Sequence, residues 1–362
     1  MLGSMQQPEN SYIASSNSPA YQRYQELARV AGISRAFTLS VKLGLYTLLR
    51  DAKEKEGLPG LSSQQVAQRL GLQRSAGFRG VTDWLDVLAS LHNLRRGGSG
   101  ADALYSNSAD AEQYLSSQSP DYMGGHAVLY HDRTFPQLLF MEHSLKTGVQ
   151  PAAARSLVAP VTDTFAGAAG ASGAAGGGDP AAFALGMTGC NKPAFKSLAS
   201  QFDWGRYRSL GDFGGSAGVL CCCVAAAQPH MACTTHDLPA VHDAAVQYVQ
   251  QQGLADQVKV LDVDFFDDSS FPSYDVITMG MILHDWGLEK KKLLMKKVLI
   301  DDARQANLWG LMMSLDMLLE FEGENSFDYS FNEFTTWAAE VGFSSTQLIR
   351  LTGPNSAAVA YK

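Results

Sequence analysis

A chain of 362 residues that is 46% hydrophobic and 18% charged has enough apolar side chain for two ordinary domains or one large one. Its mean hydropathy of −0.09, with no long uncharged apolar run, predicts no membrane-spanning segment. A formal net charge of −8 argues against nucleic acid as the main partner, since phosphate binding needs a basic face, and favours a small ligand.

Residues 1–20 read as a polar, disordered tail; they lack the basic start and apolar stretch of a signal peptide, which predicts a cytoplasmic protein. From Tyr21 to Leu49, apolar residues recur at helical spacing and predict two helices with a break near Gly32 or Gly44. Leu61 to Leu72, with serines at its start and Gly71 at its end, reads as a short capped helix. A longer helix from about Phe78 to Leu94 follows, and then Gly97–Gly100 and Leu104–Asn107 read as a hairpin turn and its return strand. Helix, short helix, longer helix and hairpin form a winged-helix pattern over residues 21–118. Residues 21–115 carry 12 Lys/Arg against 9 Asp/Glu, a balance of only +3, and the third helix bears Asp83 and Asp86. That balance favours a dimerisation domain over a DNA reader.

Residues 119–200 are predicted as a helical linker and substrate-pocket segment, helical from Tyr122 to Thr147 and interrupted by a Gly/Ala-rich loop at 166–178 that has no side chains able to form a core. The five cysteines, Cys190, Cys221, Cys222, Cys223 and Cys233, form no C-x-x-C pair, so no metal site is expected. The consecutive triplet reads as small apolar filler on a buried helix.

From residue 201 to 362 the pattern becomes strand, glycine loop, helix, strand. Arg208–Phe213 runs into Gly214-Gly215-Ser216-Ala217-Gly218 and then a helical run from Val219 to Ala227. Such a turn lets the backbone approach a ligand and aims helix N–H groups at it. The next strand, Met231–His236, ends at Asp237, 19 residues after Gly218, where a nucleotide-binding fold places the carboxylate that accepts the ribose hydroxyls. A third strand, Val258–Val263, ends in Asp264-Phe265-Phe266, an acid and an aromatic suited to an adenine amino group and ring. A fourth, Tyr274–Leu283, delivers His284-Asp285-Trp286 at its C-terminal end, the side on which open α/β sheets bind ligands. His284 is therefore the histidine best placed to take a proton from a substrate hydroxyl.

Leu-Gly-Asp-Phe-Gly-Gly-Ser-Ala-Gly (210–218), His-Asp-Leu-Pro (236–239), Asp-Phe-Phe (264–266) and above all Ile-Leu-His-Asp-Trp (282–286) resemble the S-adenosylmethionine-dependent small-molecule O-methyltransferases. The resemblance implies a doubly wound Rossmann-like α/β methyltransferase domain preceded by an α-helical winged-helix dimerisation domain, and hence a homodimer. It implies S-adenosyl-L-methionine as cofactor, held by Asp212, Gly214, Gly215, Gly218, Asp237, Asp264 and Phe265. His284 would be the general base with Asp285 beside it as an orienting acid. Phe183 and Met187, four residues apart on one helical face, and Trp286 would clasp a small aromatic hydroxyl substrate, phenolic or hydroxyindole.

The resemblance also implies a fifth strand ending in a glutamate that steadies the histidine. Here Lys296-Lys297-Val298 leads directly to Leu299-Ile300, so that turn and strand are expected to be missing, and Glu289, Lys290, Lys291 and Lys292 are expected on the wet face of the preceding helix. Glu320, Glu322 and Glu324 offer an alternative partner for His284, although a solvated acidic loop is the favoured reading. Two other functions stay open at this point: a relative that dimerises but is catalytically impaired, and a ligand-binding winged-helix regulator.

Overall fold

A computed structural model of the chain describes residues 19–72, 79–158, 161, 179–266, 272–294, 299–300, 308–320 and 326–362. It parts into two compact units, Met1–His131 and Asp132–Lys362. The tail before residue 19 and the Gly/Ala-rich loop lie outside the described residues.

In the first unit, helices α1 (Pro19–Lys42) and α2 (Leu45–Glu56) are separated at Gly44, whose left-handed φ of 70° ends one helix and starts the next. Gly32 lies within α1. Strand β1 (Leu61–Ser62) leads into α3 (Ser63–Arg69), where Ser62 and Gln65 form a reciprocal capping box. Helix α4 (Gly80–Ser90) then precedes β2 (Leu94–Gly97) and β3 (Leu104–Asn107). The three strands form an antiparallel sheet in the order β1-β3-β2. Leu45, Tyr46, Leu61, Val66, Leu85 and Leu88 are fully buried between helices and sheet. Each such side chain contributes about 1.5–3 kcal/mol. The predicted helix at Tyr122–Thr147 is broken into Gly124–Leu129, a π-helical turn at Tyr130–Thr134, and two short helices, Phe135–Leu138 and Met141–Thr147.

The second unit is built on helix α5 (Pro180–Gln201) and four parallel strands: β4 (Ser209–Phe213), β5 (Ala232–Asp237), β6 (Val258–Asp262) and β7 (Val276–Thr278). Their order is β6-β5-β4-β7. All three pairings are parallel, so the strands' C-terminal ends share one edge of the sheet. Helix α6 (Val219–Ala227) connects β4 to β5; six of its nine residues, Cys221 and Cys222 among them, are buried against Leu210, Ala217 and Val249. The cysteines thus act as small apolar filler. Helix α7 (His242–Gln251) connects β5 to β6.

Beyond β7 lie α8 (Leu288–Leu294), a two-residue strand β8 (Leu299–Ile300), α9 (Leu308–Glu320), β9 (Tyr329–Ser330) and α10 (Phe331–Glu340), the last capped by Ser330 and Glu333. The final hairpin pairs β10 (Ser345–Arg350) with β11 (Ser356–Tyr361). Two expectations are corrected here. Leu299–Ile300, where no strand was predicted, pairs in parallel with Tyr329–Ser330. The fourth strand stops at Thr278 instead of reaching Leu283, and Met281, inside the predicted span, takes a left-handed φ of 60° that no strand accommodates. Among the described residues no helix is long and apolar enough to cross a membrane.

Candidate active site

At the end of β4 the chain turns through the glycine loop. The Gly214 and Gly215 amides donate to the His236 carbonyl at 2.8 and 3.1 Å, joining the loop to β5. The loop has no room for side chains: a Cβ at Gly215 would lie 2.1 Å from Thr235 Oγ1, and one at Gly214, where φ is 72°, would lie 2.2 Å from Ile282 Cδ1. Gly218, at φ 76°, is the N-cap of α6. Behind the loop the buried Asp212 carboxylate accepts from Thr278 Oγ1 at 2.6 Å, which fixes β4 to β7 at matching positions.

Asp237 ends β5 and accepts from the Ser216 and Leu238 amides, each at 2.7 Å. Burial raises its pKa above the usual carboxylate range, and those two amide bonds oppose the rise. Five predicted residues, Asp212, Gly214, Gly215, Gly218 and Asp237, thus converge on one sheet edge. Asp264, exposed beyond β6, accepts from the Phe266 amide at 2.9 Å. Phe265 packs edge-on against Phe266 at 5.0 Å, and Phe266 packs against Trp286 at 4.8 Å, so the segments that follow β6 and β7 meet through an aromatic trio.

His284 and Asp285 sit in a single 3-10 turn, Leu283–Asp285, beyond the strained Met281. The imidazole is 4% exposed and lies between two carboxylates: Asp285 Oδ1 is 3.2 Å from Nε2, and Asp328 Oδ1 is 3.1 Å from Nδ1. Burial alone would depress the His284 pKa, but Asp285 and Asp328 outweigh it and hold it above 6.5. Burial pushes Asp285 up to about 7, a rise that His284 opposes and Asp328 reinforces. The arrangement can hold a proton on either imidazole nitrogen and pass one through Nε2.

Two residues of this cluster were not found by sequence reasoning. Asp328 is the acid on Nδ1, its own amide held by Ser314 of α9 at 3.4 Å. Glu320, offered as a partner for His284, instead forms a buried ion pair with Arg133 at 3.1 Å and accepts from Thr134; Glu322 and Glu324 lie outside the described residues. Lys291 is the second. Far from a wet face, it is fully buried, and its ammonium donates to the carbonyls of Trp286 and Phe327. A signal existed: Lys291 stands three residues from the buried Leu294, on its face of the helix. Phe183 and Met187 are half-buried on α5, with the Arg133 guanidinium 5.7 Å over the Phe183 ring.

A parallel sheet with a glycine loop, carboxylates at successive strand ends and a buried histidine at the same edge defines a nucleoside-cofactor-binding α/β enzyme. The O-methyltransferase domain family matches residues 168–343. A tetracenomycin polyketide synthesis 8-O-methyltransferase of Streptomyces glaucescens is 30% identical over 344 residues, 91% of this chain and 93% of that protein. A 3-hydroxy-5-methyl-1-naphthoate 3-O-methyltransferase of Streptomyces sahachiroi is 25% identical over 89% of each chain. Among solved structures, human N-acetylserotonin methyltransferase in complex with S-adenosylmethionine superposes with a TM-score of 0.83 at 22% identity, covering 97% of this chain and 99% of that one. This chain belongs to the S-adenosylmethionine-dependent O-methyltransferases.

Proposed function

We propose that the protein methylates a hydroxyl of a small aromatic acceptor of the phenolic or hydroxynaphthoate type, as the activities of its bacterial relatives suggest. The observation that carries this reading is the buried His284 between Asp285 and Asp328 at the edge that also holds the glycine loop. The intact cluster favours an active enzyme over a catalytically impaired relative or a ligand-binding regulator.

The residues present fit S-adenosylmethionine. Gly214, Gly215 and Gly218, which leave no Cβ in the turn, would line its methionine end in front of Asp212. Asp237 would accept the ribose hydroxyls with the second lone pairs of its oxygens, while Asp264 and Phe265 would meet the adenine. When bound, the cofactor supplies a sulfonium methyl that is already a good electrophile. The protein's own task is therefore alignment and proton removal. His284 Nε2 accepts the acceptor's hydroxyl proton while Asp328, on Nδ1, holds the ring's orientation and stabilises the imidazolium. Trp286, whose buried Nε1 has no hydrogen-bond partner among the described residues, together with Phe183 and Met187, would form the acceptor pocket. We further assign the N-terminal helical unit a winged-helix dimerisation role and the protein a cytoplasmic location.

The test is transfer of labelled methyl from S-adenosylmethionine to a panel of hydroxynaphthoates and phenols, with calorimetric titration of S-adenosylhomocysteine alongside. Turnover that disappears in His284→Ala while product binding persists is expected. Full turnover in that variant would overturn the base assignment, and no binding of the product nucleoside would overturn the cofactor site.

A further inference from the structure

Lys291 has no role in the chemistry described above, yet it is 0% exposed. A leucine or methionine would fill the same space without the cost of burying a charge. What the ammonium adds is three donors. One goes to the Trp286 carbonyl at 2.5 Å and one to the Phe327 carbonyl at 2.7 Å; the Phe327 ring lies beneath, its centroid 3.8 Å from Nζ. Trp286 is two residues after His284, and Phe327 immediately precedes Asp328. One cation therefore ties together the two backbone segments whose side chains meet across His284 Nδ1.

The charge matters as well as the hydrogen bonds. The ionisable groups facing this cluster are Asp285, Asp328 and His284, with Glu333 acting on Lys291 from α10. Asp285, Asp328 and Lys291, when ionised, leave one net negative charge around a neutral imidazole; without Lys291 there would be two, and the ring would hold its proton more tightly. Burial pushes the Lys291 ammonium down to about 8, opposed by Asp328, Asp285 and Glu333, so it is charged at neutral pH.

We propose that Lys291 is a positioning residue for methyl transfer: it fastens the His284 turn to the Asp328 segment through one carbonyl of each, and its charge keeps His284 free to accept a proton. This rests on the base role given to His284. Lys291→Met removes charge and donors together; Lys291→Gln retains N–H donors but no charge, and keeps the test alive if the methionine variant does not fold. His284 is titrated by NMR in histidine-labelled protein, its signal among the eight histidines identified with His284→Ala. In either folded variant the His284 midpoint is expected to move to higher pH, with the acidic limb of kcat/KM following it. We expect kcat to fall about tenfold or more, S-adenosylhomocysteine affinity to be retained, and Lys291→Arg to restore most of the rate. A midpoint that stays put or moves down in a folded variant overturns the proposal, as does a loss of kcat explained wholly by lost cofactor affinity. The NMR comparison needs no turnover, so it decides the role of Lys291 even if the acceptor class proves wrong.

Discussion

Replacing Asp328 with asparagine keeps the side chain's shape and an oxygen able to accept from His284 Nδ1, but removes the charge. The contact is 3.1 Å long between groups that are 4% and 0% exposed, so water does little to screen it. A hydrogen bond to a charged group contributes about 1.5–3 kcal/mol, and at about 1.4 kcal/mol per tenfold in rate its loss corresponds to about a ten- to 150-fold fall in kcat. The sign of the pH effect is also set. Asp328 helps to raise the His284 pKa, so Asp328→Asn moves the acidic limb of kcat/KM to lower pH, opposite to the direction expected for the Lys291 variants. Steady-state turnover with labelled cofactor across pH, beside calorimetric titration of S-adenosylhomocysteine, reads all three quantities. An unchanged kcat, or an acidic limb that moves upward, would refute the assignment of Asp328 as the acid that orients the base.

Three further outcomes follow from the geometry. Gly215→Ala would push a methyl to within 2.1 Å of Thr235 Oγ1 and 2.8 Å of Asp212 Oδ2; it is expected to weaken S-adenosylhomocysteine binding about tenfold or more, a cost typical of overpacking, and wild-type affinity would sink the cradle assignment. Arg133→Met leaves the Glu320 carboxylate buried with Thr134 as its one remaining hydrogen-bond donor among the described residues; a loss of about 3–5 kcal/mol in chemical denaturation is expected, with partial recovery in the Arg133→Met/Glu320→Met double variant, and an unaltered midpoint would show that the pair is not structural. In the wild type, burial pushes the His284 pKa down, but Asp285 and Asp328 push it further up. A base must be neutral to act, so kcat/KM should fall as pH drops through a value above 6.5; a limb lying below 6.5 would contradict the burial of both carboxylates beside the ring.

How much of this was legible in the sequence depended on how far apart the cooperating residues lie. The glycine loop, Ser62 capping α3 and the cysteine triplet on α6 are written in windows of about ten residues, where conformational preference and periodicity act directly. Asp237 was reachable because the strand-helix-strand unit that separates it from Gly218 has a nearly constant length. The length of β7 was misjudged because its apolar run continues to Leu283, and nothing local marks Met281 as the residue that turns backward. Asp328 falls outside any such window, its partner His284 being 44 residues away; Lys291 has one partner close by, the Trp286 carbonyl, but its second, the Phe327 carbonyl, is 36 residues away, and a carboxylate or an ammonium read alone is assigned to solvent.

That default explains why the sequence suggested a damaged catalytic sheet. The reading rested on a turn and a fifth strand ending in a glutamate that the sequence does not show after Val298, as if that strand were the only way to bring an acid to His284. A base needs a carboxylate on its distal nitrogen held firmly enough to stay there, and any rigid segment can deliver it. Here the acid arrives just before β9, whose two residues pair with β8, and its backbone is fixed by Ser314 on one side and by the Phe327 carbonyl bound to Lys291 on the other. A buried lysine is costly, and it is tolerated where two carbonyls and facing carboxylates stabilise it. The shortened strand and the buried cation are thus parts of one arrangement. On this argument, Lys291→Met and Asp328→Asn should each impair the same step, and their combination should cost less than the sum of the two, since either one alone already loosens the His284–Asp328 contact.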